Sequence, residues 1–311
     1  MLKNKDLLGL KGVSKEEINV ILKTAAEMKK IIISGNKKSD LFAGKSMATL
    51  FYENSTRTRS SFEMACNYLG GTFSSLNVAT SSVNKGETLG DTARTLDAFG
   101  TDILVIRHGS SGAPHLIADK VKASVINAGD GSNEHPTQAL LDMFTLQEKF
   151  GELKGLELAL IGDIRFSRVA RSNIWGLTEM GVKVRVFGPG TLSPIGFEHI
   201  KGVKICHSME EALKGADAIM ALRLQKERME SGLLPSLSEF SEFFGINENN
   251  INLAKTNAML MHPGPVNRNV ELSDGVLLSP KNFIDRQVTN GVAIRMALMY
   301  LLTKDRGNCG R

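Results

Sequence analysis

Apolar residues recur along the chain in two patterns. One is helical: Ile18, Ile21, Leu22, Ala25, Met28 and Ile32 follow Ser14 and Glu17, which stand three apart as a capping box. The other is a series of short apolar runs at residues 47–52, 103–106, 124–127, 158–161, 182–187, 218–222 and 258–261. Amphipathic stretches such as 88–99, 137–150 and 169–180 separate most of them. Strand and helix in regular alternation predict parallel sheets with helices over both faces. The fold class is therefore α/β.

A break in this pattern falls at Phe150-Gly151-Glu152-Leu153-Lys154-Gly155, where glycines end a helix ahead of a new strand. At 311 residues the chain has room for two domains of about 150 residues, each large enough for its own core. We expect one domain over 1–150 and a second over 151–285. Each is a parallel sheet flanked by helices, with the active site in the cleft between them. Residues 287–302 read as a last long helix, and the C-terminal segment 286–311 is expected to pack back on the first domain.

Composition narrows the function. The net charge is only +5, from 38 basic and 33 acidic residues spread along the chain, with one Trp and three Tyr. No basic block with interleaved aromatics appears, so nucleic acid is not an expected partner; a mildly positive field suits anionic metabolites. No apolar run approaches the ~18 residues of a membrane span, and no signal-peptide core follows the Lys-rich start, so we expect a cytoplasmic protein. Cys66, Cys206 and Cys309 are far apart, and no zinc-ligand spacing occurs. Cys66 belongs on the apolar side of a helix with Phe62 and Leu69, and Cys206 in a strand. Neither a metal nor a cofactor is expected.

In parallel sheets ligands bind beyond the carboxyl ends of the strands. The distinctive polar residues fall there repeatedly: Ser55-Thr56-Arg57-Thr58-Arg59, Arg107-His108, the run from Asp130 to Gln138, Arg168, Arg223-Leu224-Gln225 and His262-Pro263-Gly264-Pro265. Mostly basic groups at six strand ends describe an anion-binding cleft. A hydroxyl residue at the start of a helix caps its N–H groups, and the same donors with the helix dipole attract phosphate. That terminus contributes only ~1 kcal/mol, whereas micromolar binding needs ~8 kcal/mol, so Arg57 and Arg107 must converge as well. Arg59 either joins them or forms a structural ion pair. His135 is a plain helix-entry residue or, with Gln138 one turn on, a donor to a substrate carbonyl. The segment Ala79 to Glu87 is a solvated loop or a lid carrying Lys85. Asp163 follows a glycine, but G-x-G-x-x-G and the phosphate loop with G-K-[ST] are both absent.

These motifs resemble, in order and over nearly the whole chain, the aspartate/ornithine carbamoyltransferase family. The match runs through Phe51-Tyr52-Glu53-Asn54-Ser55-Thr56-Arg57-Thr58-Arg59, Lys85-Gly86-Glu87-Thr88, Arg107-His108 and Asn127-Ala128-Gly129-Asp130-Gly131. It continues with His135-Pro136-Thr137-Gln138, Arg223-Leu224-Gln225-Lys226-Glu227-Arg228, His262-Pro263-Gly264-Pro265 and Gln287-Val288-Thr289-Asn290-Gly291-Val292-Ala293. The resemblance implies a first domain that holds carbamoyl phosphate through Ser55, Thr56, Arg57, Thr58 and Arg107. His135 and Gln138 would meet the carbamoyl group. Ser81 and Lys85 would reach in from a neighbouring subunit of a homotrimer with shared active sites. Arg168, Arg223 and Gln225 would bind aspartate, together with Lys85, and Gly264 and Pro265 would line the carbamoyl group. The implied reaction gives N-carbamoyl-L-aspartate and phosphate, an early step of pyrimidine synthesis. Two basic groups near the acceptor favour a dicarboxylate over ornithine. The sequence departs from some relatives at Asn84, where they carry a second lysine, at Val169 and at Gly264. It leaves regulatory chains or a dihydroorotase open as further partners.

Overall fold

The computed structural model describes residues 2–77, 87–193, 196–225, 232–234 and 236–304. The chain divides into two compact units, Met1–Leu141 with Thr289–Arg311, and Asp142–Val288.

The first unit is built on a four-stranded parallel sheet of β1 (Ser46–Phe51), β2 (Thr72–Asn77), β3 (Ile103–His108) and β4 (Ser124–Asp130), in the order β2-β1-β3-β4. Its helices are α1 (Lys15–Ile33), α2 (Thr56–Tyr68), α3 (Leu89–Ala98) and α4 (Ala113–Ala118). The interior strands are apolar almost end to end because both their faces are covered: β4 is buried throughout, and β3 until its last two residues. Residues at the N-terminus extend the pairing past β4, where Leu7 N–H donates to Val125 O and Asn127 N–H donates to Leu7 O, both at 2.9 Å. That closes one sheet edge. On the opposite edge β2 has the composition TFSSLN, with too few apolar residues to stand out as a strand, and its Phe73 is exposed. For this reason the apolar pattern did not predict it.

The capping box predicted at Ser14 forms: its hydroxyl accepts from Glu17 N–H, and the Glu17 carboxylate accepts from Ser14 N–H. Helix α5 (Pro136–Phe150) follows β4, and the chain passes from one unit to the other within it. It passes back within α10 (Ile284–Thr303). The returning part of α10 is fastened to the first unit by polar contacts that need this fold to exist. Lys29 Nζ donates to Asn290 Oδ1 at 2.7 Å, Lys45 Nζ donates to Thr303 O at 2.6 Å, and the Arg295 guanidinium lies 5.0 Å from the Phe62 ring centre.

The second unit carries β5 (Glu157–Ile161), β6 (Lys183–Phe187), β7 (Val203–Ile205), β8 (Ala218–Ala221) and β9 (Met259–Met261), all parallel, in the order β7-β6-β5-β8-β9. Helices α6 (Arg168–Glu179), α7 (Met209–Leu213), α8 (Leu237–Phe244) and α9 (Asp274–Leu277) accompany them. One face of the sheet buries Ala159, Ile161, Ile219, Ala221 and Leu260 with Leu213, Ile251 and Leu272. Strand β7 is three residues at the edge, and Cys206 lies just past its end rather than within it, as the sequence suggested. Both Cys66 and Cys206 are buried free thiols.

Two outcomes are expected from this packing. Ser14→Ala should lower stability by about 1 kcal/mol in urea unfolding, since it removes one side of the capping box. Burial pushes the Cys66 thiol up to about 12, so a thiolate-directed alkylating reagent at pH 8 should label Cys66 only once denaturant has opened the core.

Candidate functional site

In an open parallel sheet the ligand site is the point where successive connections leave in opposite directions. The order β2-β1-β3-β4 puts this point between β1 and β3, and the order β7-β6-β5-β8-β9 puts the other between β5 and β8. Both positions carry residues singled out from the sequence.

At the first point, Phe51 is in register with Arg107, so the end of β1 lies beside the end of β3. The chain leaves β1 through Tyr52-Glu53-Asn54-Ser55 and enters α2 at Thr56. The sequence predicts that Ser55 caps this helix, and here the structure differs. Ser55 occupies the cap position with φ −157° and ψ 80°, and its side chain makes no capping hydrogen bond, whereas Thr88, Ser167, Ser208, Ser236 and Ser273 cap their helices. No acidic residue sits in the first turn. The first N–H groups of α2 therefore face outward beside exposed Thr56 and Arg57, with Thr58 buried beneath them. This is an anion site in the making: donors, dipole and guanidinium on one turn. Arg59 resolves as the structural alternative, an ion pair with Glu63 at 3.9 Å along the helix.

Arg107 is held between the neighbouring strand ends. Its Nη1 donates to Ala128 O at 3.1 Å, near the end of β4, and its Nε stands 3.5 Å from Glu53 Oε2, beyond β1. The loop from β4 to α5 is stiffened by buried carboxylates that accept backbone N–H groups. Asp130 Oδ2 accepts from Gly112 N–H at 2.7 Å and Asn133 Nδ2 at 3.0 Å, and its Oδ1 accepts from Asn127 Nδ2 at 2.8 Å and Glu134 N–H at 3.1 Å. Glu134 in turn accepts from Leu10 N–H at 2.7 Å. Gly131 has φ +46°, and a Cβ there would collide with Ser111, so only glycine fits. The loop delivers His135 immediately ahead of Pro136, the first residue of α5, with Gln138 one turn on. Both side chains are buried, and His135 Nδ1 lies 3.5 Å from Thr137 Oγ1.

At the second point, Leu222 N–H donates to Ile161 O at 2.8 Å, joining the end of β8 to the end of β5. Arg168 is buried as the first residue of α6, behind the Ser167 cap. Arg223 and Gln225 are half-buried and contact each other, with Gln225 Nε2 donating to Arg223 O at 3.1 Å. Asp163, which stands where a dinucleotide fingerprint would look for chemistry, instead ties two loops together. It accepts from Phe166 N–H at 3.0 Å and Gln225 N–H at 3.2 Å. Beyond β9, His262 N–H donates to Gln287 Oε1 at 2.9 Å, and Gly264 N–H donates to His262 Nδ1 at 2.9 Å, ahead of exposed Pro265. Gln287 continues to Asp142, which also accepts from Asn173. Glu271 is buried against these segments, and that burial raises its carboxyl while the N–H groups of Leu224 and Asn267 oppose the shift.

The structure thus gathers Ser55, Thr56, Arg57, Thr58 and Arg107 at the first switch point. It gathers Arg168, Arg223 and Gln225 at the second. Ser81 and Lys85, with Asn84, lie outside the described residues, as do Lys226, Glu227, Arg228 and Cys309. Sequence reasoning missed Asp130, Glu134, Asp163 and Glu271 as scaffold. Each also accepts a donor from a distant segment, as Asp130 from Gly112, Glu134 from Leu10, Asp163 from Gln225 and Glu271 from Leu224, and no local spacing could reveal those bonds. Among the described residues no group of three or more His, Cys, Asp or Glu is placed to hold a metal ion. No helix among them is long and apolar enough to cross a membrane.

Comparison with known proteins agrees with this geometry. Residues 5–148 match the family model "Aspartate/ornithine carbamoyltransferase, carbamoyl-P binding domain", and residues 154–302 match its "Asp/Orn binding domain". The chain is similar to the aspartate carbamoyltransferase catalytic subunit of Acetivibrio thermocellus, with 61% identity over 98% of this chain and 97% of the relative. Among solved structures, aspartate transcarbamoylase from Trypanosoma cruzi in complex with carbamoyl aspartate and phosphate superposes with a TM-score of 0.88. It is 35% identical, with 96% of each chain covered. Ornithine carbamoyltransferase from Thermus thermophilus superposes with a TM-score of 0.85 at 28% identity, over 96% of this chain and 99% of that one.

The loop scaffold gives its own expectation. Asp130→Asn sets an NH₂ against N–H donors in a dry site and should lower stability by about 3 kcal/mol in urea unfolding. It should also weaken inorganic phosphate binding, read by calorimetry, because the strand end beside Arg107 loosens.

Proposed function

This chain belongs to the aspartate/ornithine carbamoyltransferase family, and on that basis we infer that it moves the carbamoyl group of carbamoyl phosphate to the amine of L-aspartate. The products are N-carbamoyl-L-aspartate and phosphate. The observation that carries this reading is the guanidinium loading of both switch points, with Arg57 and Arg107 at one and Arg168 and Arg223 at the other. One substrate is a mixed anhydride of carbamic and phosphoric acids and the other a dicarboxylate, so both are anions. A diamino acid such as ornithine would present a second cation to Arg223 instead.

In this reading the domain of residues 1–150, joined by the C-terminal helix, holds carbamoyl phosphate, and residues 151–285 hold aspartate. The outward N–H groups of α2, Ser55, Thr56 and the Arg57 guanidinium bind the phosphate oxygens. Thr58, Arg107 and His135 surround the carbonyl oxygen, and Gln138 meets the carbamoyl amine. Arg168, Arg223 and Gln225 bind the carboxylates of aspartate, and the backbone at Gly264 and Pro265 lines the carbamoyl group. Ser81 and Lys85 enter from a neighbouring copy in a homotrimer, a placement supported by the family resemblance of that segment. The catalytic-subunit names of the relatives support attachment of further chains. We place the enzyme in the cytoplasm, at an early step of pyrimidine synthesis.

Chemistry then follows from charge. The aspartate amine attacks the carbamoyl carbon, and negative charge develops on the carbonyl oxygen. Arg107, His135 and Thr58 stabilise that charge in a site poor in water. The C–O bond to phosphate breaks as the C–N bond is completed, and the leaving phosphate takes the amine proton. No side chain becomes a covalent nucleophile; fixing two reactants in line supplies much of the remaining acceleration.

The first experiment supplies carbamoyl phosphate with aspartate or with ornithine, in parallel, with a chelator present. Carbamoyl aspartate alone is expected; citrulline would overturn the acceptor assignment. Arg57→Ala should reduce turnover about a thousandfold. Arg223→Ala should raise the KM for aspartate about a hundredfold and leave that for carbamoyl phosphate nearly unchanged, since it removes a charged contact to one substrate only.

A further inference from the structure

The proposed acceptor residues Arg223 and Gln225 sit beyond β8 on irregular backbone, so their aim depends on what grips that backbone. Asp163 takes the N–H of Gln225 from the β5 side. From the β9 side, Glu271 Oε1 accepts from Leu224 N–H at 3.0 Å and from Asn267 Nδ2 at 2.7 Å. Its Oε2 accepts from Asn267 N–H at 2.7 Å and lies 3.9 Å from His262 Nε2. Because His262 Nδ1 accepts from Gly264 N–H, the proton of the neutral ring is on Nε2, facing this carboxylate. Glu271 is only 2% exposed.

We propose that Glu271 is a positioning residue for the acceptor: it locks the backbone of Leu224, and with it Arg223 and Gln225, to the segment that begins His262-Pro263-Gly264-Pro265. The inference rests on reading Arg223 and Gln225 as aspartate contacts. A buried carboxylate is a poor device for stability alone, because its desolvation costs several kcal/mol and a neutral residue would pack as well. Its use here is geometric. Two oxygens with up to four acceptor directions can hold Leu224, Asn267 and the His262 ring at one point. Leu224 itself is fully buried beside Leu192 and Phe240, so the loop has an apolar anchor on one side and an ionic anchor on the other. Fixing the residue between Arg223 and Gln225 leaves both flanking side chains at a set spacing.

The test uses the full chain, with Glu271→Gln and Asn267→Ala as separate variants. Gln keeps the shape but presents NH₂ to the Asn267 and His262 donors. Asn267→Ala removes one donor at a half-buried position and keeps the proposal open to refutation if the first variant does not fold. Loss of one charge-assisted contact predicts that KM for aspartate rises about tenfold in Glu271→Gln and about threefold in Asn267→Ala. KM for carbamoyl phosphate should move less than twofold in either. A purely structural role would instead raise both KM values together, and that result would overturn the proposal. So would an aspartate KM unchanged in both variants. Should the unaltered chain make no carbamoyl aspartate, the functional reading itself fails, a result seen before any variant is made, and this inference falls with it.

Discussion

Parallel pairing of β1 with β3, and of β5 with β8, is the contact from which the rest of the structure takes its logic. Each pair lies where the chain reverses its direction of winding, so no crossover helix covers the gap beyond the strand ends. Loops and helix N-termini collect there instead. Register makes this concrete: Phe51 opposite Arg107 sets the entry to α2 beside a guanidinium that hydrogen-bonds to the end of β4. Shifting that register by one residue would turn Arg107 to the other face of the sheet.

A site made of positive groups has to be pinned by something other than those groups. The chain uses buried carboxylates as pins and backbone N–H groups as their partners. Asp130 and Glu134 hold the loop that delivers His135, while Asp163 and Glu271 hold the segment that carries Arg223 and Gln225. Such acceptors are expensive to bury, and each has a donor on both of its oxygens, as low polarity requires. The arrangement lets the loops be stiff while the arginines keep their geometry for anions. It also adds negative charge behind the positive face, which keeps the local field moderate.

The uncapped start of α2 belongs to the same economy. Among the described residues six other helices, α1 included, satisfy an N-terminal donor with a Ser or Thr side chain, and α2 has a serine in the right place that does not do so. Leaving those donors outward forgoes about 1 kcal/mol of helix stability. The helix is held by other means: Phe62, Ala65 and Cys66 are fully buried, and Arg295 of α10 lies over the Phe62 ring. Stability is supplied along the helix and the open terminus is left for a ligand.

The alternation of apolar runs with amphipathic stretches was enough to establish an α/β fold with parallel sheets, since only strands buried on both faces read as unbroken apolar runs. The same reading located every interior strand and the helix entry at His135-Pro136. The apolar runs missed β2 and β7, edge strands exposed enough to demand little hydrophobicity, although Cys206, one residue past β7, was read as strand. The candidate residues Ser55, Arg57, Arg107, His135, Arg168 and Arg223 were legible because a strand followed by a polar residue is a local signal, and family motifs gave them their order. Tertiary structure alone decided the strand order, hence which of those strand ends are neighbours. It alone decided that Ser55 leaves its helix uncapped and that Asp163 and Glu271 serve as clamps. These depend on partners up to 62 residues away along the chain, as for Gln225 and Asp163. Periodicity reports what a residue does with its neighbours in sequence; a hydrogen bond to a remote backbone N–H leaves no trace in it.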